Sequence, residues 1–222
     1  MFIQKPARLF GELPETQPAP SSTRTRTDRR RARTRARLLG AARELFGEKG
    51  VGATRIGEIT ERADVAAGSF YNHFSDKDAI VKTLLSEIAE DQGATVDRLT
   101  REIEDPAIVV AYAHRHFVRL ALADPVFGQL VIRLEPSHGL LRQVLGPRAI
   151  RDVQDGIRAQ RFQVEDAAAA VYAMGGALLG TITGVVDGVL RGGADEIHAA
   201  AVLRMLGLDA DDAATVAGLA MS

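Results

Sequence analysis

The apolar residues of this sequence recur at the spacing of an α-helix, and this periodicity limits what the chain can fold into. The first inward face consists of Leu38, Leu39, Ala42, Leu45 and Phe46. It predicts a helix from about Arg33 to Gly50, where the glycine ends it. No segment of four to eight residues alternates between apolar and polar as an amphipathic strand does. The sequence therefore predicts an all-α protein of about nine helices.

Short polar or proline-containing signals mark where these helices are expected to begin. The signals are Thr54, Ser75, Asp105-Pro106, Asp124-Pro125, Glu165-Asp166 and Asp195. Each provides a side chain that can accept from the first free backbone N–H groups, or a proline suited to the first helical position. The last two signals are expected to open a helix running to about Leu190 and a final helix ending at Leu206.

Charge is unevenly distributed along the chain, although its net value is only −1. Residues 1–90 contain 16 Lys and Arg against 12 Asp and Glu, whereas residues 91–222 contain 12 against 17. Eight arginines lie between residues 24 and 37 against one acidic residue, Asp28. This polarity predicts a polyanionic partner for the N-terminal end. Residues 1–31, which lack an apolar period, are predicted to form a disordered basic arm.

Two short predicted helices, at 55–63 and 66–73, are joined by a turn around Asp64 and Val65. Their lengths and the short turn match a helix-turn-helix. The residues that can close its small core are Ile59, Ala63, Val65 and Phe70. Small residues at the start of the second helix would then face outward, where they can approach base edges in the major groove.

Residues 56–80 read IGEITERADVAAGSFYNHFSDKDAI, and the most specific part is GSFYNHF at 68–74, followed by Ser75 and Lys77. With AARELFGEKG at 41–50, this segment resembles the DNA-binding domain of the tetracycline-repressor (TetR) family over residues 32–92. The resemblance implies a helix-turn-helix at 55–74 and a helical ligand-binding and dimerisation domain at 93–222. It also implies a transcriptional regulator, expected to be a repressor that a small molecule releases from a palindromic operator.

The resemblance assigns a set of residues to DNA contact. They are Thr54, Arg55, Ala66, Ala67, Gly68, Ser69, Tyr71, Asn72, His73 and Lys77. The turn carries Asp64 where the family commonly has glycine, which is tolerable because Asp can enter left-handed conformations. Gly57 stands where some members read bases with arginine. Specificity is therefore expected to depend on thymine methyl contacts, backbone donors and DNA shape. The arginines at 24–37 are either a solvated tail or a minor-groove clamp.

The remaining candidates lie in residues 93–222. A pocket for a small hydrophobic effector is predicted to be lined by Tyr112, His116, Phe117, Phe127, Leu130 and Leu134, with ordinary core packing as the alternative. Glycines recur every four residues from Gly176 to Gly188 and make one helix face smooth enough for close packing. The resemblance gives that face a role in a homodimer. The predicted interface is Gly176, Gly180, Thr183, Gly184, Leu203 and Leu206, with a buried core helix as the alternative.

Several classes of function are not expected. Cysteine is absent from the sequence, so disulfides, thiolate metal sites and cysteine nucleophiles are excluded. No catalytic, metal-binding or nucleotide-binding pattern stands out, so neither a cofactor nor an enzymatic activity is expected. Residues 167–186 are uncharged but rich in Ala, Gly and Thr and lack basic anchors, so no membrane span is expected. A cytoplasmic, nucleoid-associated protein is predicted, whose partners are double-stranded operator DNA, a second copy and the effector.

Two alternatives stay open at this point. The first is a regulator of the same fold that needs no ligand or activates transcription. The second is a helical enzyme or a peripheral membrane protein in which the match at 55–74 is accidental.

Overall fold

A computed structural model describes residues 26–133 and 137–219, which form nine α-helices and one 3-10 turn without any strand. The helices are α1 (Arg26–Ala53), α2 (Ile56–Arg62), α3 (Lys77–Leu99), α4 (Pro106–Ala123), α5 (Pro125–Arg133), α6 (Ser137–Arg158), α7 (Ala167–Val186), α8 (Ala194–Met205) and α9 (Ala210–Ala217), and the 3-10 turn is Ala67–Ser69. The all-α prediction is confirmed.

One apolar core unites the N-terminal head, defined as residues 26–90, with the helices that follow it. The predicted inward face of α1 is buried, and α3 buries Ile80, Val81, Leu84, Leu85 and Ile88 against it. Phe127 and Leu130 of α5 and Ile182 of α7 belong to the same cluster. The head is therefore packed on α5 and α7 through a continuous core.

A second apolar core lies at the other end of the molecule, between α4, α8 and α9. Its largest buried members include Phe162, Val202, Leu203 and Leu206. The segment before α7 contacts this second core. The Gln163 backbone N–H donates to the Leu206 carbonyl at 2.8 Å and holds the segment against the end of α8.

Three of the predicted helix starts are confirmed by their cap geometry. The Asp105 carboxylate accepts from the Ala107 N–H at 2.8 Å, with Pro106 at the first helical position. The Asp124 carboxylate accepts from the Val126 N–H at 2.9 Å. Asp166 accepts from the backbone of α7 in the same way. A side chain that satisfies a free N–H group fixes where a helix begins.

The other three starts are wrong. The N-cap of α2 is Arg55, because the Thr54 hydroxyl donates to the Gly50 carbonyl at 2.8 Å instead. The N-cap of α3 is Asp76, one residue after Ser75. Asp195 lies inside the first turn of α8, where its carboxylate is buried between arginines, as described below.

Three boundaries also differ from prediction. Helix α1 begins at Arg26, so residues 26–31 of the predicted arm are helical, as arginine's helix propensity favours. Helix α7 ends at Val186, and Gly188 occupies a left-handed turn with φ 72°. A further helix, α9, follows the one predicted to be last. Residues 1–25, which hold the rest of the arm, lie outside the described residues.

Candidate nucleic-acid interface and internal cavity

The recognition segment, defined as residues 55–74, is folded over the small core that the sequence predicted. Ile59, Ala63 and Phe70 are buried, and Val65 packs against them. Asp64 adopts the left-handed conformation with φ 49°, as expected at the position where glycine is common. The Arg37 guanidinium donates to the Asp64 carboxylate at 2.7 Å and to its carbonyl at 3.0 Å, which holds this turn against α1.

The second element of this segment is tighter than the predicted helix at 66–73. It consists of the 3-10 turn Ala67–Ser69 and hydrogen-bonded turns through His73. Gly68 and Ser69 are weak α-helix formers, which accounts for a 3-10 turn in place of an α-helix here. A Cβ atom placed on Gly68 would meet nothing within 4 Å. The backbone at this point is therefore open to close approach by a partner.

Six of the predicted contact residues lie at the exposed surface of the recognition segment. They are Arg55, Ala66, Ala67, Gly68, Tyr71 and Asn72. Tyr71 is 63% exposed, and its ring lies edge-on against Phe70. Ser69 and His73 are half-buried at the same surface. Burial lowers the pKa of His73, and the nearby Arg31 and Arg35 lower it further.

The structure places two other predicted contacts, Thr54 and Lys77, differently. Thr54 is buried, with its hydroxyl committed to the Gly50 carbonyl. The Lys77 ammonium donates to the carbonyls of Val51 at 2.9 Å and Thr54 at 3.0 Å. Both side chains thus close the C-terminal end of α1, whose last carbonyls have no helical partner. In the structure both side chains thus support the recognition segment, and their phosphate contact stays a prediction.

The start of α1 forms one wall of a polar groove beside the recognition segment. This arginine groove is lined by Arg30, Arg33, Thr34, Arg37, Asp64, Val65, Ala66 and Ser69. Farther along, Arg31 donates to the Asn72 carbonyl at 3.5 Å. The arginine run is evident in the sequence, but its location beside the recognition segment is not. Its members at 30, 33 and 37 have the spacing of one helix face, which could have indicated this groove.

A cavity of about 190 Å³ lies between α3, α4, α6 and α7. Its wall is mainly apolar and includes Val96, Phe117, Leu141, Leu145, Met174 and Leu179. The polar side chains on the wall include Asp97, His114, Arg148 and Asp152. Such a cavity, apolar with a few polar groups, suits a small molecule.

Among the predicted pocket residues that the structure describes, only Phe117 lines this cavity. Phe127 and Leu130 are buried in the first core. His116 stacks on Tyr112 and contacts the Gln92 side chain at 2.8 Å. Leu134 lies outside the described residues. The prediction of the pocket wall is therefore corrected: the open space faces a different side of α4.

The polar end of the cavity is held by arginine–carboxylate pairs. The Arg148 Nε atom donates to Asp97 at 2.8 Å, and Arg151 donates to both Asp97 and Asp152. Burial acts to raise the pKa of Asp97, but the hydrogen bonds from Arg151 and Arg148 outweigh it and leave the pKa lowered. For Asp152 burial prevails and raises the pKa. The wall thus carries a firmly ionised carboxylate and a more readily protonated one.

The outer faces of α7 and α8 expose small and apolar residues, together with the charged Glu196 and Arg204 on α8. Gly176, Gly180 and Thr183 are exposed on α7, as predicted for an interface. Gly184 is instead covered by Leu190 of the same chain. Leu203 and Leu206 are fully buried in the second core, so their predicted place on the interface is wrong.

The exposed apolar residues of this face are different ones. On α8 they are Ile197 and Met205, and Ile197 is 74% exposed. On α7, Tyr172 is 60% exposed. Helix α7 is also long and apolar enough to cross a membrane by length and composition alone.

Comparison with known proteins identifies the family. The family described as "Bacterial regulatory proteins, tetR family" matches residues 38–84. The family described as "Tetracyclin repressor-like, C-terminal domain" matches residues 105–218, which is more than half of the chain. The chain belongs to the TetR family. The resemblance seen in the sequence is confirmed.

The protein RolR (NCGL1110), solved in complex with resorcinol, is similar to most of this chain. It is 36% identical, the match covers 87% of this chain and 97% of RolR, and the TM-score is 0.79. RolR solved without ligand gives a TM-score of 0.75.

Two curated relatives match over shorter segments. The transcriptional repressor Rv3405c of Mycobacterium tuberculosis is 35% identical over 123 residues, covering 53% of this chain and 62% of its own length. The regulator UidR of Escherichia coli K12 is 28% identical over 133 residues, covering 54% and 66%. The matched segment thus spans just under two thirds of the length of each of these curated relatives.

Proposed function

We propose that this TetR-family chain is a homodimeric repressor that a small, mainly apolar molecule releases from a palindromic operator. One observation carries the proposal. Helix α3 begins directly after the recognition segment, and its far end lines the cavity through Gly93, Val96 and Asp97. A molecule in the cavity would therefore act on the same helix that supports the DNA-contacting surface. It weakens DNA binding to the extent that it prefers the conformation in which the two heads no longer fit.

DNA contact is assigned to the exposed surface of the recognition segment. The proposed contact residues are Arg55, Ala66, Ala67, Gly68, Ser69, Tyr71, Asn72 and His73. The turn at Ala67–Ser69 has no bulky side chain to keep it from the base edges, and Tyr71 projects beside it. Base reading then depends on backbone donors, methyl contacts and DNA shape.

The arginine groove is proposed to bind the phosphate backbone next to the recognition segment. Replacing both Arg30 and Arg33 with alanine should lower affinity for all sequences alike and reduce the slope of log affinity against log salt by about 2. Fluorescence anisotropy at several salt concentrations measures this slope. An unchanged slope would show that these arginines do not contact DNA.

The effector is proposed to be a small phenol. RolR, which is 36% identical, was solved with resorcinol. The cavity of this chain is small, largely apolar and bounded at one end by Asp97, Arg148 and Asp152. Carboxylates accept from phenolic hydroxyl groups, and a guanidinium donates to their oxygens, so this end fits such a molecule.

The uncovered face of α7 and α8 is proposed to pair with a second copy. A Cβ at Gly180 would meet nothing within 4 Å inside the protomer, so Gly180→Leu should leave the fold intact and obstruct only a partner. We expect monomers in sedimentation and no operator binding. Gly40→Leu, also at an exposed helical glycine with open space, is the matched control. An intact Gly180→Leu dimer would contradict this interface.

A mobility-shift assay with the DNA upstream of the chain's own gene tests the proposed function as a whole. The full-length protein should retard this DNA in preference to random competitor, and resorcinol should release it. Retardation that no phenol reverses would indicate a ligand-independent regulator, and no preference for any duplex would contradict DNA regulation. On this proposal the protein acts in the cytoplasm, at the nucleoid, without enzymatic activity.

A further inference from the structure

A line of three side chains connects the cavity with α7 and α8. The Nδ1 atom of His114 on α4 lies 2.9 Å from the Nε2 atom of His198 on α8. The Nδ1 atom of His198 lies 2.9 Å from the hydroxyl oxygen of Thr181 on α7. His114 also lines the cavity. The line therefore ends on the cavity wall.

Both imidazole rings are neutral near pH 7. Burial lowers the pKa of His114 to about 3, with a further contribution from His198, and burial lowers the pKa of His198 to about 4. A neutral imidazole carries one N–H donor and one acceptor nitrogen. Along a line of two such rings, the direction of one hydrogen bond consequently fixes the direction of all the others.

The Thr181 hydroxyl sets this direction. A helical threonine commonly donates to the carbonyl four residues back, as Thr183 does to Leu179 at 2.8 Å. In the described part of the chain, Thr181 makes no such bond, and its hydroxyl contacts His198. Donation from Thr181 to His198 Nδ1 places the His198 proton on Nε2, which donates to His114 Nδ1. The proton of His114 is then on its Nε2 atom.

This Nε2–H group is available to a molecule in the cavity. The Nε2 atom has no hydrogen-bond partner among the described residues. In that part of the chain, every side-chain nitrogen or oxygen that is closed off from solvent has a partner. Nε2 therefore borders accessible space, and the space that His114 lines is the cavity. We propose that His114 is a ligand-contacting residue whose Nε2–H donates to an uncharged acceptor oxygen of the effector, a carbonyl or phenolic oxygen. This inference rests on the proposed function, because it specifies one group of the effector.

The protonation pattern can be measured without any ligand. The full-length protein is labelled with ¹⁵N in its five histidines, and long-range ¹H–¹⁵N spectra are assigned from variants that replace each histidine in turn. At pH 7 we expect both His114 and His198 to carry their proton on Nε2. A proton on Nδ1 of His114 would overturn the proposal.

The contact itself is tested with two probes of the same shape, acetophenone and 2-phenylpropene, which differ by C=O against C=CH₂. Acetophenone should bind roughly threefold to tenfold more tightly, the value of one neutral hydrogen bond. It should also shift the His114 Nε2 signal, whereas 2-phenylpropene should not. Failure of acetophenone to bind, or binding that leaves this signal unchanged, would overturn the assignment of the ligand contact.

The role of the threonine is tested by Thr181→Val, which removes the hydroxyl with little change in shape. The fraction of His114 protonated on Nε2 and the preference for acetophenone should both fall, and Thr181→Ser should restore them. Thr83→Val, which removes a hydroxyl bonded to the Ala79 carbonyl, should change neither. An unchanged His114 tautomer in Thr181→Val would overturn the role of Thr181. None of these measurements needs DNA, so their failure is distinct from failure of operator binding.

Discussion

In the N-terminal head the ion pairs lie at the surface, whereas between α4 and α8 they are buried. Arg62 pairs with Glu44 and Glu48 in the head, and all three side chains are well exposed. Arg115 on α4 pairs with Asp195 on α8, and the exposed fractions of these side chains are 3% and 7%. Water surrounds and screens the exposed pairs, so each contributes little to stability. A buried charge that loses its partner has no water to replace it, so breaking a buried pair costs more free energy. The head is therefore held mainly by its apolar core, while buried charges fix how α8 sits on α4.

The largest expected effect is the loss of Asp195, whose carboxylate also accepts from Arg119 at 2.6 Å. Burial acts to raise the pKa of Asp195, but hydrogen bonds from Arg119 and Arg115 outweigh it and lower the pKa. Asp195→Ala leaves the buried Arg115 with Glu196 and the Leu219 carbonyl as its remaining partners among the described residues. It should lower the free energy of unfolding by about 3 kcal/mol, the low end of the range for a broken buried pair. Urea denaturation measures this, with the exposed Asp187→Ala as control. A loss below about 1 kcal/mol would remove the contrast with surface pairs.

A change of pH should act on the same end of the molecule, with a smaller effect from each titrating group. His114 and His198 have folded pKa values of about 3 and about 4, below the 6.5 of an unfolded histidine. Between these values the unfolded chain binds more protons, so stability is full above pH 6.5 and falls as the pH drops toward 4. We expect a loss of about 2 kcal/mol per histidine between pH 7 and pH 5.

The measurement is thermal or urea unfolding at fixed protein concentration across this pH range. Replacing both histidines with glutamine should flatten the profile, whatever it does to stability at pH 7. His116→Gln, on the same helix but outside the pair, should keep most of the slope. An equally steep profile in the double variant would show that other groups cause it.

Within the head, Lys77 should have an intermediate effect. Lys77→Met keeps the apolar stem of the side chain but removes the ammonium that binds the carbonyls of Val51 and Thr54. It should cost about 1 to 2 kcal/mol of stability and weaken operator binding without changing its salt slope. Lys82→Met, on the exposed side of α3, is the control. A slope reduced by about 1 at unchanged stability would restore the phosphate contact first predicted for Lys77.

The smallest effect is expected at the surface pairs of the head. Arg62→Ala removes both contacts with Glu44 and Glu48. It should lower the free energy of unfolding far less than Asp195→Ala does, and by less still at high salt. Chemical denaturation at low and high salt checks this. A loss as large as that of Asp195→Ala would mean that the two ends do not differ as described.

The parts of the fold that the sequence predicted are those set by neighbouring residues. The inward faces of α1 and α3 follow from apolar spacing, and the caps at Asp105 and Asp124 follow from a side chain next to the N–H groups it accepts from. The left-handed Asp64 could be predicted for the same reason, because the constraint acts on a single residue.

The features that the sequence did not predict depend on packing between distant residues. Helix α8 carries apolar residues on two sides, so periodicity could not distinguish the buried Leu203 from the exposed Ile197. His114 and His198 are 84 residues apart, and no local pattern connects them. The cavity wall is likewise set by how four helices meet, which no spacing along one of them reveals.

Helix α3 also acts as a lever between the two regions. Its 23 residues span about 34 Å, so a tilt of only about 5° around its cavity end would carry the other end through roughly 3 Å. In a pair of such molecules the two displacements add, which is a sizeable change against a half-site repeat of about 34 Å. A molecule in the cavity therefore needs to displace α3 only slightly at Gly93 and Val96. The resulting tilt would move both recognition segments away from the positions at which they fit the DNA major groove.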